Sequence, residues 1–85
     1  MENDNGIIMY STSWCGDCHR AKIIFRNSEV NYTNIDLDEH PEYEDIVKEI
    51  NNGRRTIPTI IFPDGSILVE PSNRELREKL ASIQN

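Results

Sequence analysis

Short apolar runs alternate with longer amphipathic stretches along the chain. Residues 6–11, Gly-Ile-Ile-Met-Tyr-Ser, are apolar, with β-branched and aromatic content. The run is too short for a helix and reads as a buried strand. After the loop Thr12-Ser13-Trp14 the period becomes helical. Cys18, Ala21 and Phe25 fall at i, i+3 and i+7 with Ile24 beside them, and Arg20, Lys22 and Arg26 lie off that stripe. This predicts a helix from Cys15 or Gly16 to Asn27. Residues 31–37 alternate through Tyr32, Thr33, Ile35 and Leu37 and read as a second strand. Asp38-Glu39-His40-Pro41 opens a second helix, since Pro suits the first turn and acids there suit the helix dipole. Tyr43, Ile46, Val47 and Ile50 are its apolar stripe, and Asn51-Asn52-Gly53 closes it. Residues 59–62 and 67–69 read as strands joined by the turn Pro63-Asp64-Gly65-Ser66, a hairpin. Ser72-Asn73-Arg74-Glu75 matches a capping box, and Leu76, Leu80 and Ile83 follow at i, i+4 and i+7. Glu75 and Lys79 are spaced for an i,i+4 ion pair.

The predicted order is β-α-β-α-β-β-α. Its first half is a βαβ unit, so the first two strands should be parallel with a right-handed crossover. The hairpin then adds antiparallel strands. The expected architecture is α/β: a mixed four-stranded sheet with three helices on both of its faces. At 85 residues the chain has room for one domain, expected over residues 7–85 after a polar, disordered segment 1–6. Nine Lys and Arg against fifteen Asp and Glu give a charge of −6, which argues against general nucleic-acid binding. No apolar run approaches the roughly 20 residues of a membrane-spanning helix. The acidic Met1-Glu2-Asn3-Asp4, with no apolar stretch after it, lacks the form of a secretory signal. The expectation is a cytoplasmic monomer.

The only two cysteines, Cys15 and Cys18, lie at the predicted junction of the first strand and first helix. A thiol at a helix N-terminus meets free N–H groups and the positive end of the dipole. These lower its pKa from about 8.5 toward neutrality and make it a nucleophile. Cys18 lies one turn on and closer to the core, where it can reach back to Cys15. One reactive and one resolving thiol are what dithiol exchange needs. Arg20 and Lys22 add positive charge nearby, and Asp17 opposes them. Other readings are weaker. Cys15 to His19 fits the C-x-x-C-H haem-attachment pattern, but no export signal accompanies it. A structural zinc needs two further ligands, and no second CxxC exists. An iron–sulfur cluster shared between subunits through Cys15 is a minor alternative. No bound metal or organic cofactor is expected.

A second feature is Arg54-Arg55-Thr56-Ile57-Pro58-Thr59. Sequence alone leaves the Ile57-Pro58 bond trans, because about 5–6% of X-Pro bonds are cis. Were it cis, the Ile57 backbone could face the cysteines and pair with an extended substrate. Arg54 and Arg55 are either loop solubilisers or, for at least one of them, holders of a substrate carboxylate. Trp14 is either a plain apolar rim or a cover over Cys15 that helps dock a partner. Six acids between Asp36 and Asp45 read first as a solvated helix start and second as a docking face for a basic partner.

The segment from Tyr10 to Cys18 with Arg20-Ala21-Lys22, together with Thr56-Ile57-Pro58-Thr59, resembles a glutaredoxin. The match is closest to the mycoredoxin branch. Its Trp-Cys-Gly-x-Cys site, its Arg-Thr-x-Pro-Thr segment and its Asp-Gly-Ser-x-Leu…Pro-Ser stretch correspond here to residues 14–18, 52–59 and 64–72. The resemblance covers about residues 7–80. It implies a thioredoxin-like fold and thiol–disulfide oxidoreductase activity, with Cys15 and Cys18 catalytic. It also implies a cis Pro58 and a substrate groove lined by Thr56 and Ile57, and Trp14, Gly16, Asp17, Arg55 and Pro58 are the further candidates for binding substrate. Thr12 stands where glutathione-using members often carry Lys, and Val69-Glu70 where they carry Gly-Gly. The implied co-substrate is therefore glutathione or a mycothiol-type thiol. The implied partners are disulfide-containing proteins. The alternative is a dithiol electron donor recycled by a thioredoxin-reductase-like flavoenzyme, as in the redoxins that serve ribonucleotide reductase.

Overall fold

Alternation along the first strand decides how the layers stack. In the computed structural model, which describes residues 6–84, β1 (Ile8–Ser11) lies inside the sheet. It pairs in parallel with β2 (Thr33–Asp36) and antiparallel with β3 (Thr59–Ile61), and β3 pairs antiparallel with β4 (Ile67–Val69). The order across the sheet is β2-β1-β3-β4. Ile7 and Met9 point to one face, where Ile60 and Phe62 join Ala21, Ile24 and Phe25 of α1 (Gly16–Asn27) and Leu76 and Leu80 of α3 (Asn73–Gln84). Ile8 and Tyr10 point to the other. There Leu37, Ile35 and Ile61 meet Val47 of α2 (Glu44–Ile50). Two helices thus cover one face and one covers the other, in the β-α-β-α-β-β-α order expected from the pattern. Of the segment expected to be disordered, residues 1–5 lie outside the described residues. Gly6 forms a turn at φ 74, and a Cβ there would come within 3.1 Å of the Pro63 side chain.

Several local expectations are corrected. β2 begins at Thr33 rather than residue 31, because Tyr32 stacks on Phe25 with ring centroids 4.1 Å apart. Pro41 opens a 3-10 turn, Pro41–Tyr43, before the α-helix proper. Ile46, counted on the apolar stripe of α2, is exposed, and Val47 is that helix's fully buried residue. The Glu75–Lys79 pair does not form. The Glu75 carboxylate instead accepts the Ser72 N–H at 2.8 Å while the Ser72 hydroxyl accepts the Glu75 N–H at 3.1 Å, which is the reciprocal capping box. Lys79 turns to Asp64 at 2.9 Å, across to the hairpin, with its ammonium 5.1 Å from the Phe62 ring centroid. That contact fastens α3 to the β3–β4 turn, where Gly65 takes φ 89 as the turn requires.

Candidate active site

The chain leaves β1 at Ser11 and turns through Thr12, Ser13 and Trp14 to Cys15, which caps α1. Cys15 has extended backbone angles, φ −90 and ψ 116, and its Sγ accepts the Cys18 N–H at 3.1 Å. A thiol here takes the place of the usual Ser or Asp cap. Its carbonyl accepts the His19 N–H at 3.1 Å. The His19 ring braces the same loop, with Nε2 2.9 Å from the Ser13 carbonyl. A carbonyl only accepts, so Nε2 carries the proton. Gly16 is exposed at the first helical position, and Asp17 in that turn pairs with Arg20. The positive charge expected near the cysteines from Arg20 is thereby met by Asp17.

The two thiols are unequal. Both are free, Cys15 keeps 9% of its surface and Cys18 keeps none. Burial pushes the Cys18 thiol up to about 12, helped by the hydrogen bond it gives to the Cys15 sulfur and opposed by the Thr12 backbone N–H. Cys18 is held as a neutral thiol, and the Cys15 sulfur faces the Cys18 N–H at the N-terminal end of α1. Thr12 is fully buried in this loop, and its hydroxyl has no hydrogen-bond partner among the described residues.

Residues 51–58 lead into β3, the antiparallel neighbour of β1. Asn51 anchors them: its Nδ2 donates to the Val47 carbonyl at 2.9 Å and to the Thr59 hydroxyl at 3.1 Å, which in turn donates to the Thr56 carbonyl at 2.7 Å. The Ile57-Pro58 bond is cis, as the family resemblance implied and the residues alone did not. Pro58 is buried, its carbonyl accepts the Glu70 N–H at 2.9 Å, and Thr56 and Ile57 are half-buried. Arg55 is not a free cation. Its Nε donates to Glu44 at 2.6 Å and its Nη2 to Asp38 at 3.2 Å. The guanidinium holds the Glu44 carboxyl below the usual carboxylate range, and Glu44 in turn raises Arg55.

Asp38 is the residue that the sequence reading did not single out. Its other oxygen accepts the Trp14 indole N–H at 2.8 Å, so the Trp preceding Cys15 is tethered although its side chain is 67% exposed. The only sequence signal for Asp38 was its place in the acidic run. A groove of about 400 Å³ lies elsewhere, along Lys22, Arg26, Val30, Asn31 and Tyr32, and includes none of the predicted site residues. Among the described residues, no group of three or more His, Cys, Asp or Glu side chains converges as a metal site. No described helix is long and apolar enough to cross a membrane.

Comparison with known proteins points the same way as this geometry. The glutaredoxin family model matches residues 7–67. "Putative glutaredoxin Rv3198A" of Mycobacterium tuberculosis is 38% identical over 77 residues, covering 91% of this chain and 92% of that protein. Mycoredoxin 1 of Corynebacterium glutamicum is 29% identical over 79 residues, covering 93% and 98%. The crystal structure of the glutaredoxin from Methanosarcina mazei Go1 superposes with a TM-score of 0.74 at 27% identity, over 91% of this chain and 79% of that one. The fold is thioredoxin-like, and the chain belongs to the glutaredoxin family of thiol–disulfide oxidoreductases.

Proposed function

We propose that this protein reduces mixed disulfides between proteins and a low-molecular-weight thiol, with Cys15 as nucleophile and Cys18 as resolving thiol. One observation carries the reading: two free thiols one helical turn apart, one capping α1 with 9% of its surface open and the other fully buried with its proton held. The Cys15 thiolate attacks the small-thiol sulfur of the mixed disulfide. The old S–S bond breaks, and its electron pair leaves with the protein sulfur, which takes a proton from solvent. Cys15 now carries the small thiol. A second small thiol, attacking as its thiolate, forms the small-molecule disulfide and returns Cys15. Alternatively Cys18 loses its proton and closes a Cys15–Cys18 disulfide, expelling the small thiol. Two electrons move in either route, and they come from thiols, so no bound cofactor is needed.

Trp14, Gly16 and Asp17 on one side and Arg55, Thr56, Ile57 and Pro58 on the other form the substrate groove in this reading. Pinning of Thr56 by Thr59 and Asn51 supports a rigid wall there. Glutathione or a mycothiol-type thiol is the co-substrate, the protein acts as a monomer, and a reducing compartment such as the cytoplasm is where it works. The test is a trap. Reduced Cys18→Ser protein is incubated in lysate of its own source and weighed by intact-mass spectrometry. A small-molecule adduct on Cys15 is expected, and its mass names the thiol. Protein-sized adducts alone would replace this reading with a dithiol donor fed by a flavoenzyme reductase. A Cys15→Ser protein that keeps full activity overturns both.

A further inference from the structure

Asp38 lies in the turn after β2, distant in sequence from both walls of the groove, yet its carboxylate touches both. One oxygen accepts from the indole of Trp14, the residue before Cys15, and the other from the guanidinium of Arg55, the residue before Thr56-Ile57-Pro58. Glu44 accepts from the Arg55 Nε, and Lys48 lies 3.4 Å from Glu44. Two carboxylates thus face one guanidinium. A guanidinium whose charge is already matched by two carboxylates attracts a further anion less strongly than a free one. With Asp17 turned to Arg20 on the other wall, the groove carries no surplus positive charge among these residues.

We propose that Asp38 is a positioning residue that fixes Trp14 and Arg55 together and, by occupying Arg55, sets the groove against anionic thiols in favour of uncharged or cationic ones. The proposal rests on the redox reading above for its substrate half. Its geometric half, the tethered indole, stands without it. Removing the Asp38 charge frees the Arg55 Nη2 and the indole at once. One unit charge at groove distance changes the relative rate for an anionic substrate by about five- to tenfold.

Trp14 is the only tryptophan, so its emission reports this bond directly. The experiment uses reduced full-length protein in single-turnover oxidation by two disulfides of similar size, neutral bis(2-hydroxyethyl) disulfide and dianionic dithiodiglycolate. Asp38→Ala should lower the steady-state anisotropy of Trp14. It should also raise the dithiodiglycolate-to-neutral rate ratio about five- to tenfold over wild type. Glu44→Gln should raise the ratio too but leave the anisotropy unchanged, since Asp38 still holds the indole. In wild type, added salt should raise the ratio by screening the acidic wall, a measurement that needs no variant to fold. An unchanged ratio in both variants with normal turnover, or a ratio that falls with salt, overturns the charge role alone. Unchanged Trp14 anisotropy in a folded Asp38→Ala protein overturns the tether. Failure of both disulfides to oxidise any form overturns the redox reading and the substrate half with it.

Discussion

Closure of the Cys15–Cys18 disulfide should be limited by removal of one proton. The Cys18 thiol sits at about 12 against an ordinary value of 9.0, with burial the largest cause. At pH 7 about one molecule in 10⁵ then carries the Cys18 thiolate, and each pH unit multiplies that fraction by ten. Loading Cys15 with a small thiol removes the acceptor that Cys18 donates to and so relieves part of the shift. Burial remains, because Cys18 is fully covered by the protein itself. The closure rate should therefore rise close to tenfold per pH unit from 7 to 9 without a plateau. The assay is stopped-flow fluorescence of Trp14, which adjoins Cys15. Reduced protein is mixed with excess small disulfide, and the first phase reports attack by Cys15 and the second reports closure. Cys18→Ser should keep the first phase and lose the second. A closure rate that is flat between pH 7 and 9, or that levels off below pH 8, refutes the reasoning.

The same shift makes a stability prediction of definite sign. A folded-state value raised above the unfolded one means that the native protein holds a proton the unfolded chain gives up, so stability is complete below pH 9 and is lost as pH rises toward 12. Relative to Cys18→Ser, wild type should lose about 1.4 kcal/mol per pH unit between pH 9 and 11, measured by urea denaturation. The raised Tyr10 and Tyr32 act in the same direction but cancel in that difference. Equal pH profiles for the two proteins would remove the buried-thiol argument. Separately, Ser72→Ala deletes the hydroxyl that accepts from Glu75 and should cost about 1 kcal/mol, read as a fall of about 4–8 °C in Tm. No change in Tm would show that the box is not holding the N-terminus of α3.

Elements were legible where one physical rule acts over neighbouring residues. The helical stripe of Cys18, Ala21, Ile24 and Phe25 is buried as its spacing demands, and all four strands are present. The errors lie where a residue's partner is far along the chain. Tyr32 looked like the start of a strand, but its ring is claimed by Phe25 of α1. Ile46 fell on the α2 stripe, yet α2 is short and Val47 alone is fully covered, so a neighbour one position off reaches solvent. Local spacing offered Lys79 to Glu75, but the cap holds that carboxylate and the hairpin turn supplies Asp64 instead.

The candidate site divides along the same line. Helix placement and spacing were enough to mark Cys15 and Cys18, because a cap and the residue one turn later are local geometry. The cis Ile57-Pro58 bond was beyond the residues themselves and came only with the family resemblance. The charges around the groove were the least legible. The acidic run read first as a solvated helix start, and Arg54 and Arg55 as solubilisers or a holder of a substrate carboxylate, since an ion pair between Asp38 and Arg55 spans 17 residues and exists only once the β2–α2 turn and the Pro58 loop are folded side by side. The chain is acidic overall, but its net charge does not decide what binds at Cys15. What matters there is which carboxylates have already been answered. Asp17 is met by Arg20, and Asp38 and Glu44 share Arg55, so these charges brace the segments that carry them. In the proposed exchange, residues fixed by such pairs orient a disulfide for attack without having to reorganise first.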